Sequence, residues 1–239
     1  MSRILNIGVI IADKNEYEPA VNIFNDYFVK DKPLFSKEGK LFEICKDDNI
    51  IKLHILLSGV GKVNTAVSTA NLLKENDMIL NFGYCGGIAG QKRGDIVLAT
   101  SFIEHDFDIT IFGYEPAEKP GQDYIYTPDK KLCKIFKKVC SQAKEGRVAS
   151  GDSFVCEEST TDFLKRYLMS VACDMEAAAA AYACNLAIKP FLSFKEVSDN
   201  ATEEAPEDYR EINDSFKMSM AEIFKDFIFE LFKYEEYFI

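Results

Sequence analysis

The chain has 239 residues, 47% of them hydrophobic, enough to bury a full core and suited to one large domain or two small ones. A formal net charge of −11, with no lysine or arginine run to offset it locally, excludes a nucleic-acid surface. Seven cysteines without a C-x-x-C pair or matching histidine spacing exclude a zinc site and point to reduced thiols in the cytoplasm. Met1-Ser2-Arg3-Ile4 runs straight into a strand instead of a signal peptide, and no apolar segment reaches membrane-spanning length, so a soluble protein with no membrane partner is expected.

Ile4 to Ile11 reads as a buried strand of a sheet covered on both faces. It turns polar at Ala12-Asp13, and helical spacing of Val21, Ile23, Phe24 and Phe28 extends a helix to Phe28. Glu16 and Glu18 suit the first turn of that helix through its macrodipole. Leu41 to Cys45 and Ile50 to Leu57 are two further strands joined by a polar turn. Ser58-Gly59-Val60-Gly61-Lys62 leads into a helix over 63–73; it lacks the spacing and the Lys-Ser/Thr ending of a Walker loop, which excludes a nucleoside triphosphatase. Met78 to Leu80 begins a strand that the glycines at 83, 86, 87 and 90 convert into a backbone-lined turn, read first as a phosphate or sugar-phosphate cradle.

The second half alternates in the same way. A strand over 95–100 and the segment 102–112 carry His105, whereas His54, inside an apolar strand, is a packed residue. Residues 115–122, with two prolines and a glycine, form a long loop. Helices over 132–143 and 159–168 flank a short strand at 147–150. Ser170 to Glu176 is a strand exit feeding the alanine run 177–181, and a carboxylate at the head of so closely packing a helix needs a partner. The last strand, Phe191 to Val197, ends at Ser198-Asp199, followed by an acidic loop to Pro206 and an amphipathic helix over 213–234. With no repeat or linker, the expectation is a single α/β domain over 1–239, a central mixed twisted sheet flanked by helices.

Polar sites therefore stand at four strand ends, and the carboxyl ends of strands in an open α/β sheet are where ligands collect. In order along the chain come Ile7-Gly-Val-Ile10 with Glu16, Ser58 to Lys62, Gly83-Tyr-Cys-Gly-Gly87, Gly94-Asp-Ile-Val97, His105-Asp106, Phe112-Gly-Tyr114, Ser150 to Phe154, Asp174-Met-Glu176 and Ser198-Asp199. This set resembles the nucleoside phosphorylase/nucleosidase superfamily, most closely the 5′-methylthioadenosine/S-adenosylhomocysteine nucleosidases, over roughly Ile7 to Tyr209.

The resemblance implies hydrolysis of the N-glycosidic bond of an adenine nucleoside with no metal and no organic cofactor. It assigns Asp199 to protonation of purine N7, Glu16 to water activation and Glu176 to the ribose diol, with Met175 against the sugar. Phe154 would stack on the purine and Val155 read its edge, while Val60, Tyr84, Gly86 and Ser198 complete the pocket. Ile109, Phe112 and Tyr114 fit an apolar pocket for a 5′-alkylthio group. Three positions depart from the family's pattern: Asp13 stands in place of a methionine near the 5′ substituent, Tyr84 in place of a small residue, and Tyr209 in place of phenylalanine. A 5′-hydroxyl or another polar 5′ extension thus stays open. The resemblance also implies a homodimer in which the 102–114 segment closes the partner's pocket. The alternatives are a phosphate-dependent purine nucleoside phosphorylase and a non-catalytic nucleoside-binding member of the fold. The five arginines, at 3, 93, 147, 166 and 210, make no phosphate clamp beside the glycine stretch; only Lys62 and Lys195 are left as candidates, which favours hydrolysis.

Overall fold

The computed structural model describes residues 3–212 and 214–238, apart from the side chains of 214 and 215. Ten strands form one mixed sheet: β1 (Arg3–Ile11), β2 (Phe28–Asp31), β3 (Gly39–Lys46), β4 (Asn49–Leu57), β5 (Met78–Gly87), β6 (Ile96–Glu104), β7 (Ile125–Tyr126), β8 (Lys144–Ser150), β9 (Ser170–Asp174) and β10 (Phe191–Asp199). Among the described residues seven α-helices cover it: α1 (Lys14–Asn22), α2 (Lys62–Leu72), α3 (Lys130–Val139), α4 (Glu158–Arg166), α5 (Ala177–Ala187), α6 (Ala205–Arg210) and α7 (Asp214–Leu231). The order β10-β6-β8-β9-β5-β1-β4-β3-β2, together with a β10–β5 pairing, closes β5, β10, β6, β8 and β9 into a ring and leaves β1 to β4 as an open wing.

β5 is the hinge of this arrangement. Its first residues run parallel to β1 and to β10, and at Gly86 and Gly87 it pairs antiparallel with β9. The ends of β1, β5, β10 and β9 consequently meet, and the segments that follow them carry the acidic side chains to one place.

The two faces of the sheet pack differently. One is filled by aromatic side chains from the strands and from α1, α3 and α7, among them Phe24, Phe82, Phe136, Phe194, Phe224 and Phe227. On the other, α5 lies on the ring through Ala177, Ala178, Ala180 and Ala181, small residues that let its backbone approach the strands closely. No described helix is long and apolar enough to cross a membrane.

Several expectations need correction. Gly83, Gly86 and Gly87 are not in a turn, since β5 stays extended through Gly87, and the chain bends only beyond it, at Gly90 with φ 89°. The first helix stops at Asn22, and Phe28 begins an edge strand. Pro206 sits in the first turn of α6 instead of a loop, where its missing N–H costs no helical hydrogen bond. His54 is packed as expected, its Nε2 lying 2.7 Å from the Lys32 carbonyl oxygen. Asn213, the expected first residue of the last helix, lies outside the described residues.

Candidate active site

A cavity of about 290 Å³ opens where the four strand ends meet. Its floor is set by α1. Asp13 is the N-cap, its Oδ1 accepting from the Asn15 N–H at 2.7 Å, and the cap turns Glu16 back beneath the helix. Glu16 Oε1 accepts from the Tyr84 N–H at 2.7 Å and Oε2 from the Asp13 N–H at 3.2 Å. This carboxylate lies directly against Gly83, where a Cβ would come within 2.5 Å of Glu16 Oε1, so close approach, together with a φ of 155°, requires the glycine. Glu18, two residues on, is exposed and lies past the first turn of α1, where only Glu16 of the two acids stands.

The opposite wall comes from β9 and α5. Glu176 Oε1 accepts from the Gly61 N–H at 2.9 Å, tying the head of α5 to that of α2. The Lys62 N–H beside it donates to Asp152 Oδ1 at 2.8 Å. The Gly61 and Lys62 amides, which in a phosphate loop would face an anion, are thus held by the protein's own carboxylates. Beneath Glu176, Asp174 makes a fully buried ion pair with Lys195, Nζ to Oδ2 at 2.8 Å. Asp174 also accepts from Ser150 Oγ at 2.5 Å and from the Ala177 N–H at 3.0 Å.

The third acid ends β10. Asp199 Oδ1 accepts from the Ala201 N–H at 2.9 Å, and Ser198 Oγ stands 2.7 Å from its Oδ2. A Cβ on Gly86 would fall 3.1 Å from Asp199 Oδ1, a second glycine that makes room for an acid. Phe154, Tyr209, Tyr84 and Phe216 form a chain of rings along the rim: Phe154 to Tyr209 at 5.9 Å, Tyr209 to Tyr84 at 6.2 Å and Tyr84 to Phe216 at 5.5 Å.

Burial dominates the electrostatics. It pushes Glu16 up to about 7, against the pull of Lys195 and of the Tyr84 N–H. Glu176 and Asp199 are likewise raised by burial, opposed by Lys195 in the first case and by Ser198 and the Ala201 N–H in the second. Lys195 is raised despite its burial because Asp174, Glu176 and Glu16 surround it. An acid near 7 in a cleft, as Glu16 is, is suited to proton transfer.

Of the residues singled out from the sequence, Asp13, Glu16, Val60, Tyr84, Gly86, Phe154 and Val155 line this cavity, and so do Met175, Glu176, Ser198, Asp199 and Tyr209. Ile109 and Phe112 do not; Phe112 is 77% exposed, outside the cavity of its own chain. Lys62 and Lys195 are not free for an anion. Lys62 Nζ is held by Glu104 at 3.0 Å and Asp106 at 2.5 Å, and Lys195 by Asp174. Asp174, Cys85 and Cys173 line the cavity without having been singled out for it. A lysine in the middle of the apolar run Phe191–Val197 was the available signal for Asp174, since such a charge must have a buried partner.

Residues 6–229 match the family described as the Phosphorylase superfamily. The chain belongs to it. The 5′-methylthioadenosine/S-adenosylhomocysteine nucleosidase of Shewanella halifaxensis (strain HAW-EB4) is 36% identical over 163 residues, 64% of this chain and 71% of that protein. The 5′-methylthioadenosine/S-adenosylhomocysteine nucleosidase from Neisseria meningitidis, solved in complex with methylthio-immucillin-A, superposes with a TM-score of 0.82 at 30% identity, over 95% of this chain and 98% of that one. A futalosine hydrolase mutant of Helicobacter pylori strain 26695 superposes with a TM-score of 0.87 over 95% of this chain and 100% of that one; at 24% identity it speaks for the fold alone.

Proposed function

We propose that this protein hydrolyses the N-glycosidic bond of an adenine nucleoside carrying a 5′-thio substituent, methylthioadenosine or S-adenosylhomocysteine, and releases adenine. One observation supports water over phosphate as the acceptor: five carboxylates (Asp13, Glu16, Asp174, Glu176 and Asp199) line the cavity, with no lysine or arginine among its lining residues. A phosphate dianion there would meet like charge in a desolvated site, whereas an oxocarbenium-like sugar is a cation that these acids stabilise.

In this reading Asp199, whose carboxyl is shifted by burial toward its neutral form, delivers its proton to purine N7 so that adenine leaves neutral. Glu16 takes a proton from the attacking water, and Glu176 holds the ribose diol with Met175 against the sugar. Phe154 stacks on the base and the Val155 backbone reads its edge. No metal or organic cofactor is invoked. The names of the relatives support the substrate class. The protein acts in the cytoplasm, a reading supported by its seven unpaired cysteines. It acts as a homodimer: Val63, Ile111 and Phe112 are apolar and at least 74% exposed, and Val60 at the cavity lining joins α2 to this surface.

The test is adenine release from methylthioadenosine in phosphate-free buffer. Wild type should release it, and Asp199→Asn and Glu16→Gln should each lower kcat by about 10²–10⁴-fold. The wild-type rate should rise with pH through about 7 as Glu16 loses its proton, and that limb should vanish in Glu16→Gln. Adenine appearing only with added phosphate, alongside a sugar 1-phosphate, would establish a phosphorylase instead.

A further inference from the structure

The acids around the cavity are not equally committed. Both oxygens of Glu16, of Glu176 and of Asp199 take a hydrogen bond from the protein, and Asp174 is bound by Lys195, Ser150 and the Ala177 N–H. Asp13 differs. Its side chain accepts from the backbone N–H groups of its own α1 cap, those of Asn15 and Glu16, and among the described residues no other element holds it. Asp13 is half-buried and lines the cavity beside Tyr84 and Tyr209. Its charge reaches both phenols, adding to the burial and to Glu16 that hold them protonated as donors.

The place of this corner follows from the hydrolase reading, on which the inference rests. With the base between Asp199 and Phe154 and the ribose between Glu16 and Glu176, the lining left for the 5′ substituent includes Asp13, Tyr209 and Val60, with Ala12 and Tyr84 on the same wall. A carboxylate oxygen next to two edge-to-face tyrosines suits a hydrogen-bond donor or a cation and repels an anion.

We propose that Asp13, with Tyr84 and Tyr209, is the specificity-determining group for the 5′ position of this site, admitting beside 5′-thio nucleosides those whose 5′ substituent carries a hydrogen-bond donor or a positive charge next to C5′ and rejecting those with an anionic one.

Asp13→Asn isolates the charge, because asparagine is an equally good N-cap and keeps the acceptor for the Asn15 N–H. Three nucleosides read the selectivity: 5′-amino-5′-deoxyadenosine, methylthioadenosine and adenosine 5′-carboxylate. Wild type should show kcat/KM in that descending order. In Asp13→Asn the preference for the amine over the methylthio compound should fall about tenfold, and the carboxylate should gain by a similar factor, as expected for a close charge at a partly wetted site. Dissociation constants for the same three compounds, measured by calorimetry, give the selectivity independently of turnover. Ratios that stay within about twofold of wild type in both measurements would overturn the inference. Absence of adenine from all three, with binding ratios that still shift, would overturn the hydrolase reading and leave the inference standing.

Discussion

The two faces of the ring are built on opposite principles. The face toward α1, α3 and α7 is filled by large rings in mutual contact, such as Phe82 and Phe224 at 4.5 Å and Phe136 and Phe194 at 4.5 Å. The face toward α5 meets that helix through alanines, with Phe102, Tyr126 and Phe191 packed around them, and holds a buried lysine and its aspartate. Large rings bury most area and tolerate small shifts of a helix. Alanines bury little but fix the separation of helix and sheet, so the head of α5, and with it Glu176, is placed by packing distance. The first face holds the molecule together and the second aims its acids.

Lys195→Met should have the largest effect. It leaves Asp174 buried without its cation, at a cost of about 3–5 kcal/mol in denaturant unfolding. Since Lys195 lowers the pKa of Glu16, the acidic limb of the rate profile should also move above its wild-type position near 7. On the aromatic face, Phe224→Ala should cost about 3–5 kcal/mol as well, but with KM and the pH profile unchanged. A change in KM would break the division between the faces. Ala180→Val should cost about 1–3 kcal/mol through overpacking and raise KM by displacing Glu176, whereas Phe227→Leu should leave KM alone.

The smallest effect is a gain. Glu196, on the aromatic side of β10, has a buried Oε2 with no hydrogen-bond partner among the described residues, and burial pushes its carboxyl up to about 8. The folded chain therefore keeps a proton that the unfolded chain loses near 4.5, and this group removes stability as pH rises between those values. Glu196→Gln should be close to wild type near about pH 5 and more stable by ~2 kcal/mol near about pH 9, read from melts at both.

The acids of the site were legible in the sequence because each stands where an apolar run stops, and a charge there is conspicuous. What holds them was not. Nothing local ties Gly61 to Glu176 or Tyr84 to Glu16; those bonds depend on which strands become neighbours. The glycines of β5 misled for a related reason. Read locally, they announce a turn, but Gly83 and Gly86 lie within β5 and are glycines because carboxylates from α1 and β10 occupy the space a side chain would take. Phe28 kept the helical spacing of Val21 and Phe24, yet the chain leaves the helix before it, and edge pairing with Phe42 decides its state. Lys195 was legible as a charge and misassigned in role, since its counter-ion lies on a different strand.

Closing five strands into a ring has a consequence for association. Strands inside the circuit have partners on both sides, while the open wing ends at β2, four residues long and bearing Lys30 and Asp31. Short, charged edges resist the addition of a foreign strand. Phe28 and Val29, about half exposed on that same edge, are where fibrillar growth would have to begin, and it would begin on the wing, away from the acids.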